Sequence, residues 1–154
     1  MKTLIIGVGS PILGDDGVGI EIARRCKELF SQNKDVRTDE IGTGGLSLLD
    51  MVPGYDRVIL LDAVISGSPT GTVQVLTEAA LSGTVHLGAG HEADLGTTLA
   101  LGRKLAGQPL PRHVYIVTVE VREISEFSEN LSPKVQAAVP EAVAAVEKLL
   151  KTNF

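Results

Sequence analysis

Arg57-Val58-Ile59-Leu60-Leu61-Asp62 carries four apolar residues in an unbroken run and then meets a carboxylate. A strand that shows one face to water alternates apolar and polar residues, whereas a strand covered on both faces reads as a continuous apolar run. The stretch therefore predicts a buried parallel strand, with Asp62 as its terminus. Working outward, Leu4-Ile5-Ile6 is a shorter run of the same kind, closed by Gly7-Val8-Gly9-Ser10-Pro11. Val36 to Ile41 reads as a second, weaker strand ending in Gly42-Thr43-Gly44-Gly45, and His113 to Val119 as a further buried one. Thr72 to Leu76 alternates, which suits an edge or antiparallel strand.

Helical periods fill the gaps. After Asp15-Asp16, the residues Val18, Ile22, Cys26, Leu29 and Phe30 recur on one helical face, and Glu21, Arg24, Arg25, Lys27 and Glu28 take the other. Cys26 thus reads as a small core residue. A short helical segment is expected from Leu46 to Met51, and a longer one from Glu92 to Ala106, stopped by Gly107. Ser132-Pro133 has the form of an N-cap followed by proline at the first helical position. Val135, Val139, Ala142, Val143, Val146, Leu149 and Leu150 then form an apolar stripe, with Pro140 expected to interrupt and kink the helix. Strands alternating with helices predict an α/β fold, a mostly parallel sheet covered by helices on both faces.

The 154 residues match one domain spanning 1–154, and 44% hydrophobic with 21% charged residues is the balance of a globular protein. A single cysteine excludes an internal disulfide framework and multi-cysteine zinc sites. A net charge of −5, no Trp and only three Phe and two Tyr leave no basic, aromatic track for nucleic acid. The longest apolar runs fall far short of the ~18 residues of a membrane span. Thr3-Leu-Ile-Ile6 is also shorter than the ~7–15 apolar residues of a signal-peptide core. A cytoplasmic protein with neither membrane nor nucleic-acid partner is the expectation.

Gly7-Val8-Gly9 after a first strand invites a dinucleotide-binding reading, but the third glycine of that fingerprint is replaced by Ile12. Asp15 and Asp16 also oppose an anion at the following helix N-terminus. A different set stands out. Ligands of open α/β sheets bind beyond the carboxyl ends of the strands, where strand order reverses. Asp16 follows the first strand, Asp62 ends the third, and His91 lies in Gly88-Ala89-Gly90-His91-Glu92. Each has an ordinary reading, as helix cap, turn residue and loop residue respectively. Together, two carboxylates and an imidazole form a mixed oxygen and nitrogen set suited to a divalent transition metal with open coordination positions. His86 and His113 have weaker claims, and Asp15 reads as the exposed partner of Asp16, either capping the helix or hydrogen-bonding loop amides. No G-x-S-x-G elbow or activated cysteine is present.

These motifs, in this order, resemble those of the hydrogenase maturation proteases, the endopeptidases of nickel–iron hydrogenase large subunits. The resemblance spans essentially the whole chain: Gly7 to Gly19 with its acidic pair, Gly42-Thr43-Gly44-Gly45-Leu46, Leu61-Asp62-Ala63, His91-Glu92-Ala93-Asp94-Leu95-Gly96, and Leu131-Ser132-Pro133. Ser10 departs from it, standing where many members carry Asn. The resemblance implies a three-layer, phosphorylase/hydrolase-like fold and a metal-contacting and catalytic set at Asp16, Asp62 and His91. It implies as substrate a hydrogenase large-subunit precursor already loaded with nickel, from which a short C-terminal extension is removed. Nickel then arrives with the precursor. With no Ser or Cys nucleophile, cleavage calls for an activated water, through metal polarisation or a carboxylate acting as general base. Gly42, Thr43, Gly44 and Gly45 would let an extended substrate tail approach the backbone. Two rivals are a general metal-dependent peptidase and a non-catalytic, nickel-dependent chaperone of the precursor.

Overall fold

The computed structural model describes residues 1–42, 47–79, 102–104, 110–122 and 127–152. Its strands are β1 (Thr3–Val8), β2 (Val36–Ile41), β3 (Arg57–Val64), β4 (Val73–Thr77) and β5 (His113–Glu120). Its helices are α1 (Val18–Leu29), preceded by a 3-10 turn at Gly14–Gly17, then α2 (Ser47–Met51) and α3 (Pro133–Lys151). The strands form one sheet in the order β2-β1-β3-β5-β4, parallel except for the antiparallel edge strand β4.

The crossovers explain the layers. The connection from β1 to β2 runs one way across the sheet and the connection from β2 to β3 runs back past β1. Equal right-handedness then requires their helices on opposite faces. Accordingly, α1 and α3 pack with Ile5, Ile59, Leu61, Val117 and Val119 on one face. Leu48 of α2 packs with Leu4, Ile6, Val58, Leu60 and Ile116 on the other. Each fully buried Ile or Leu contributes about 1.5–3 kcal/mol relative to an exposed one.

The expected elements recur with four adjustments. Strand β3 does not stop at Asp62 but runs to Val64, because β5 continues beside it through Glu120. Leu29 is 57% exposed, because Cys26 and Phe30 take the core-facing places at this end of α1. Pro140 does not interrupt α3, which is one span. Proline deprives Gln136 of a helical donor, but both residues are exposed and water can serve the freed carbonyl. Of the helix expected over Glu92 to Ala106, only residues 102–104 are described, and they are helical.

Two buried contacts lock α1 and α3 to the sheet. A Cβ on Gly19 would sit 2.2 Å from the Leu61 carbonyl oxygen and 2.7 Å from that of Val8, so the absent side chain is what lets α1 touch β1 and β3. Arg57, 2% exposed, donates from its guanidinium to the carbonyls of Leu149 and Thr152, where α3 ends. A cation there meets the negative end of the helix dipole and adds a donor to the terminal carbonyls, while burial lowers the guanidinium pKa. Arg57→Ala should therefore cost about 2–4 kcal/mol, read as a lower urea midpoint at unchanged slope. A midpoint equal to wild type would show that Arg57 does not hold α3.

Candidate active site

Strand β1 connects to β2 on one side and β3 faces β5 on the other, so the order reverses between β1 and β3. The crevice beyond their carboxyl ends is where such a fold binds ligands. Two of the three expected residues are described, and both lie at this edge. Asp16 occupies the 3-10 turn after β1, which packs against β3, and is 1% exposed. Its Oδ2 accepts the Ser10 N–H at 2.9 Å. That bond uses the backbone, so Ser10 in place of Asn leaves it intact. The turn depends on Gly9, at φ 141°, where a Cβ would fall 2.0 Å from the Asp16 carbonyl oxygen.

Asp62 is fully buried, and its Oδ1 accepts the Ala63 N–H at 2.8 Å. The pairing of β1 with β3 ends at Gly7 and Leu61, so Asp62 stands one residue beyond that register while still paired with Thr118 of β5. The carboxylate sits where the pairing of β3 with β1 has ended. Two buried carboxylates at adjacent strand ends, each oriented by a backbone amide, suit a divalent cation, the usual company of buried anionic charge.

His91, Thr43, Gly44 and Gly45 lie outside the described residues, as does His86. Gly42 is described, and a Cβ there would meet no atom of the described residues within 4 Å. Both flanks of the stretch that holds His91 are described. Glu78 accepts from Arg103 Nε at 2.7 Å, a bond that raises the Arg103 pKa, and Gly102 lies against Leu49 and Leu110.

Asp15 is half-buried rather than exposed. Its Oδ1 accepts the Ser132 N–H at 2.6 Å and its Oδ2 the Ser132 hydroxyl at 2.8 Å. The hydroxyl expected to cap α3 is thus given to Asp15, whose charge lies at the positive end of that helix. Sequence reading also missed Glu120, buried at the end of β5. It accepts from the Ser66 N–H and hydroxyl, both at 2.7 Å, and from the Gly67 N–H at 3.0 Å, fixing the exit of β3. The signal that singled out Asp62, an acid closing an apolar strand, was present at Glu120 too. Cys26 is wholly buried, and desolvation pushes its thiol up to about 12, which leaves it unreactive as a nucleophile. A cleft of about 550 Å³ lies against the α1 side of the acidic turn, lined by Ile12, Gly17, Ile20, Glu21 and Asn130 among others, and includes neither Asp16 nor Asp62.

The fold and this edge define a three-layer α/β protein with two buried carboxylates at its switch point. Among solved structures it is similar to the hydrogenase-maturating endopeptidase HybD of Escherichia coli, with 25% identity and a TM-score of 0.76 over 98% of this chain and 93% of that one. It is also similar to the nickel–iron hydrogenase maturation protease HybD of Thermococcus kodakarensis, at 26% identity and a TM-score of 0.71 over 98% and 100%. Among curated relatives, the hydrogenase 2 maturation protease of E. coli is 26% identical over 99% of this chain and 93% of its own length. The hydrogenase expression/formation protein HupD of Thiocapsa roseopersicina is 26% identical over 92% of this chain, which spans 64% of the length of that relative. The family model for HycI, hydrogenase maturation protease, matches residues 20–149. The chain belongs to the hydrogenase maturation protease family.

Proposed function

We propose that the chain is an endopeptidase that removes the C-terminal extension of a hydrogenase large-subunit precursor carrying nickel, with Asp16, Asp62 and His91 as its working residues. The observation that carries this reading is the burial of both Asp16 and Asp62 at the switch-point edge of the sheet, in a chain of this family. Nickel is the substrate's cargo and supplies positive charge that the two carboxylates meet, together with polarisation of the peptide carbonyl. The backbone amides of Ser10 and Ala63 hold the carboxylates so that the cargo and the scissile bond are presented in one geometry. A carboxylate oxygen accepts the proton of the attacking water, which then reaches the departing amine; water adds across the bond to give a new carboxylate and a free amine. The loop of Gly42, Thr43, Gly44 and Gly45 receives the extended tail. No helix among the described residues is long and apolar enough to cross a membrane; the site of action in this reading is the cytoplasm.

The test is mass spectrometry of a purified large-subunit precursor, with and without nickel, incubated with this protein. Loss of one C-terminal peptide from the nickel-loaded precursor alone is expected. Binding without a mass change would leave a chaperone, and equal cleavage of the nickel-free precursor would leave a general peptidase.

A further inference from the structure

Thr118 sits in the middle of an apolar strand, between Val117 and Val119, and is fully buried. Its hydroxyl makes no hydrogen bond among the described residues. Burying an unsatisfied hydroxyl costs about 1–3 kcal/mol, and valine, with the same shape, would fill the site without that cost. Packing and strand propensity therefore give no reason for the oxygen.

Its neighbour does. Thr118 pairs in register with Asp62 on the adjacent parallel strand. Side chains alternate along both strands, and Ile116 shares a core face with Leu60 and Val64, whereas Val117 and Val119 share the opposite face with Leu61 and Ala63. Thr118 and Asp62 consequently project to the same side, as directly opposed residues. Such neighbours have Cβ atoms about 5 Å apart, so one rotation of a threonine side chain brings its oxygen within hydrogen-bonding range of a carboxylate. On the other flank Thr118 pairs with Gln74 of β4, whose side chain is exposed and has water available.

We propose that Thr118 is a positioning residue for Asp62, its hydroxyl donating to the Asp62 carboxylate when the substrate is engaged. The inference rests on the endopeptidase reading of Asp62 given above. The hydroxyl is a donor stored dry beside the carboxylate, and it fixes the orientation of that group when the precursor's metal and peptide compete for its oxygens. Residues that orient a metal-contacting group in this way typically contribute about 10–100-fold to affinity or activity.

The experiment measures kcat and KM for nickel-loaded precursor with wild type, Thr118→Val and Thr118→Ser, alongside thermal melts. Thr118→Val should lose about 10–100-fold in kcat with KM within about twofold, and should melt no lower than wild type because it removes an unsatisfied hydroxyl. Thr118→Ser should keep kcat within about threefold of wild type, since the donor survives. Wild-type kcat in Thr118→Val overturns the proposal while leaving the endopeptidase reading intact. Equal loss in both variants also overturns it, by tracing the effect to packing. A wild-type protein that cuts no nickel-loaded precursor removes the endopeptidase reading, and this inference with it.

Discussion

Processing of nickel-loaded precursor by Asp62→Asn is expected to fall by about 10²–10⁴-fold, the usual contribution of a positioned proton acceptor, while the fold persists. Asparagine keeps the size of the side chain and an oxygen to accept the Ala63 N–H, so no cavity opens and no buried amide loses its partner. What disappears is a carboxylate at full burial, whose ionised form burial disfavours, so the folded state is relieved of a desolvation cost. Circular dichroism should accordingly show a melting temperature equal to or above that of wild type, with the precursor uncut by mass spectrometry. The same opposition of stability and activity is expected for Asp16→Asn. Processing within tenfold of wild type by Asp62→Asn would remove it from the working set.

Gly19→Ala carries the largest expected effect on folding. In an ordinary helix this exchange stabilises by about 1 kcal/mol. Here the added carbon falls 2.2 Å from the Leu61 carbonyl oxygen and 2.7 Å from the Val8 carbonyl oxygen, both backbone atoms of central strands. Neither strand can retreat without breaking its pairing, so α1 must lift from the sheet and uncover Val18, Ile22 and Cys26. A loss above about 4 kcal/mol follows, seen as a collapsed urea midpoint or as insoluble protein. Gly7 repeats the constraint from the strand side, where a Cβ would lie 2.6 Å from the Gly19 carbonyl oxygen. A soluble Gly19→Ala variant with a wild-type midpoint would contradict the contact.

The strands were legible because burial on both faces writes itself as a run of Val, Ile and Leu, unbroken in Val58 to Leu61 and interrupted only by Tyr115 in Val114 to Val117, and because the edge strand β4 alternates. The helices were legible from period, yet Leu29 kept the period and lost its cover, since which residues take the core-facing places at a helix end is a tertiary fact. Asp62 stood out by chemistry, but a carboxylate after an apolar run looks like the end of a strand, and only the pairing with β5 shows that the strand goes on. Thr118 was illegible for the opposite reason: threonine belongs in strands, and its hydroxyl gains meaning only from the register that sets it opposite Asp62. Arg57 and Glu120 read as charges at strand ends, although one secures the end of α3 and the other the exit of β3.

The grip of Asp15 on Ser132 joins groups 117 residues apart in the chain. Synthesis makes the acidic turn early and its anchor late. At about 5–20 residues per second, a ribosome takes roughly 6–20 s to cover that interval. Asp16 exists throughout that interval and Asp62 for the later part of it, but the turn that presents Asp16 still lacks its clasp. Completion of α3 is thus what turns two early carboxylates into a rigid pair. Until Ser132 emerges, the nascent chain lacks the contact that steadies its acidic turn.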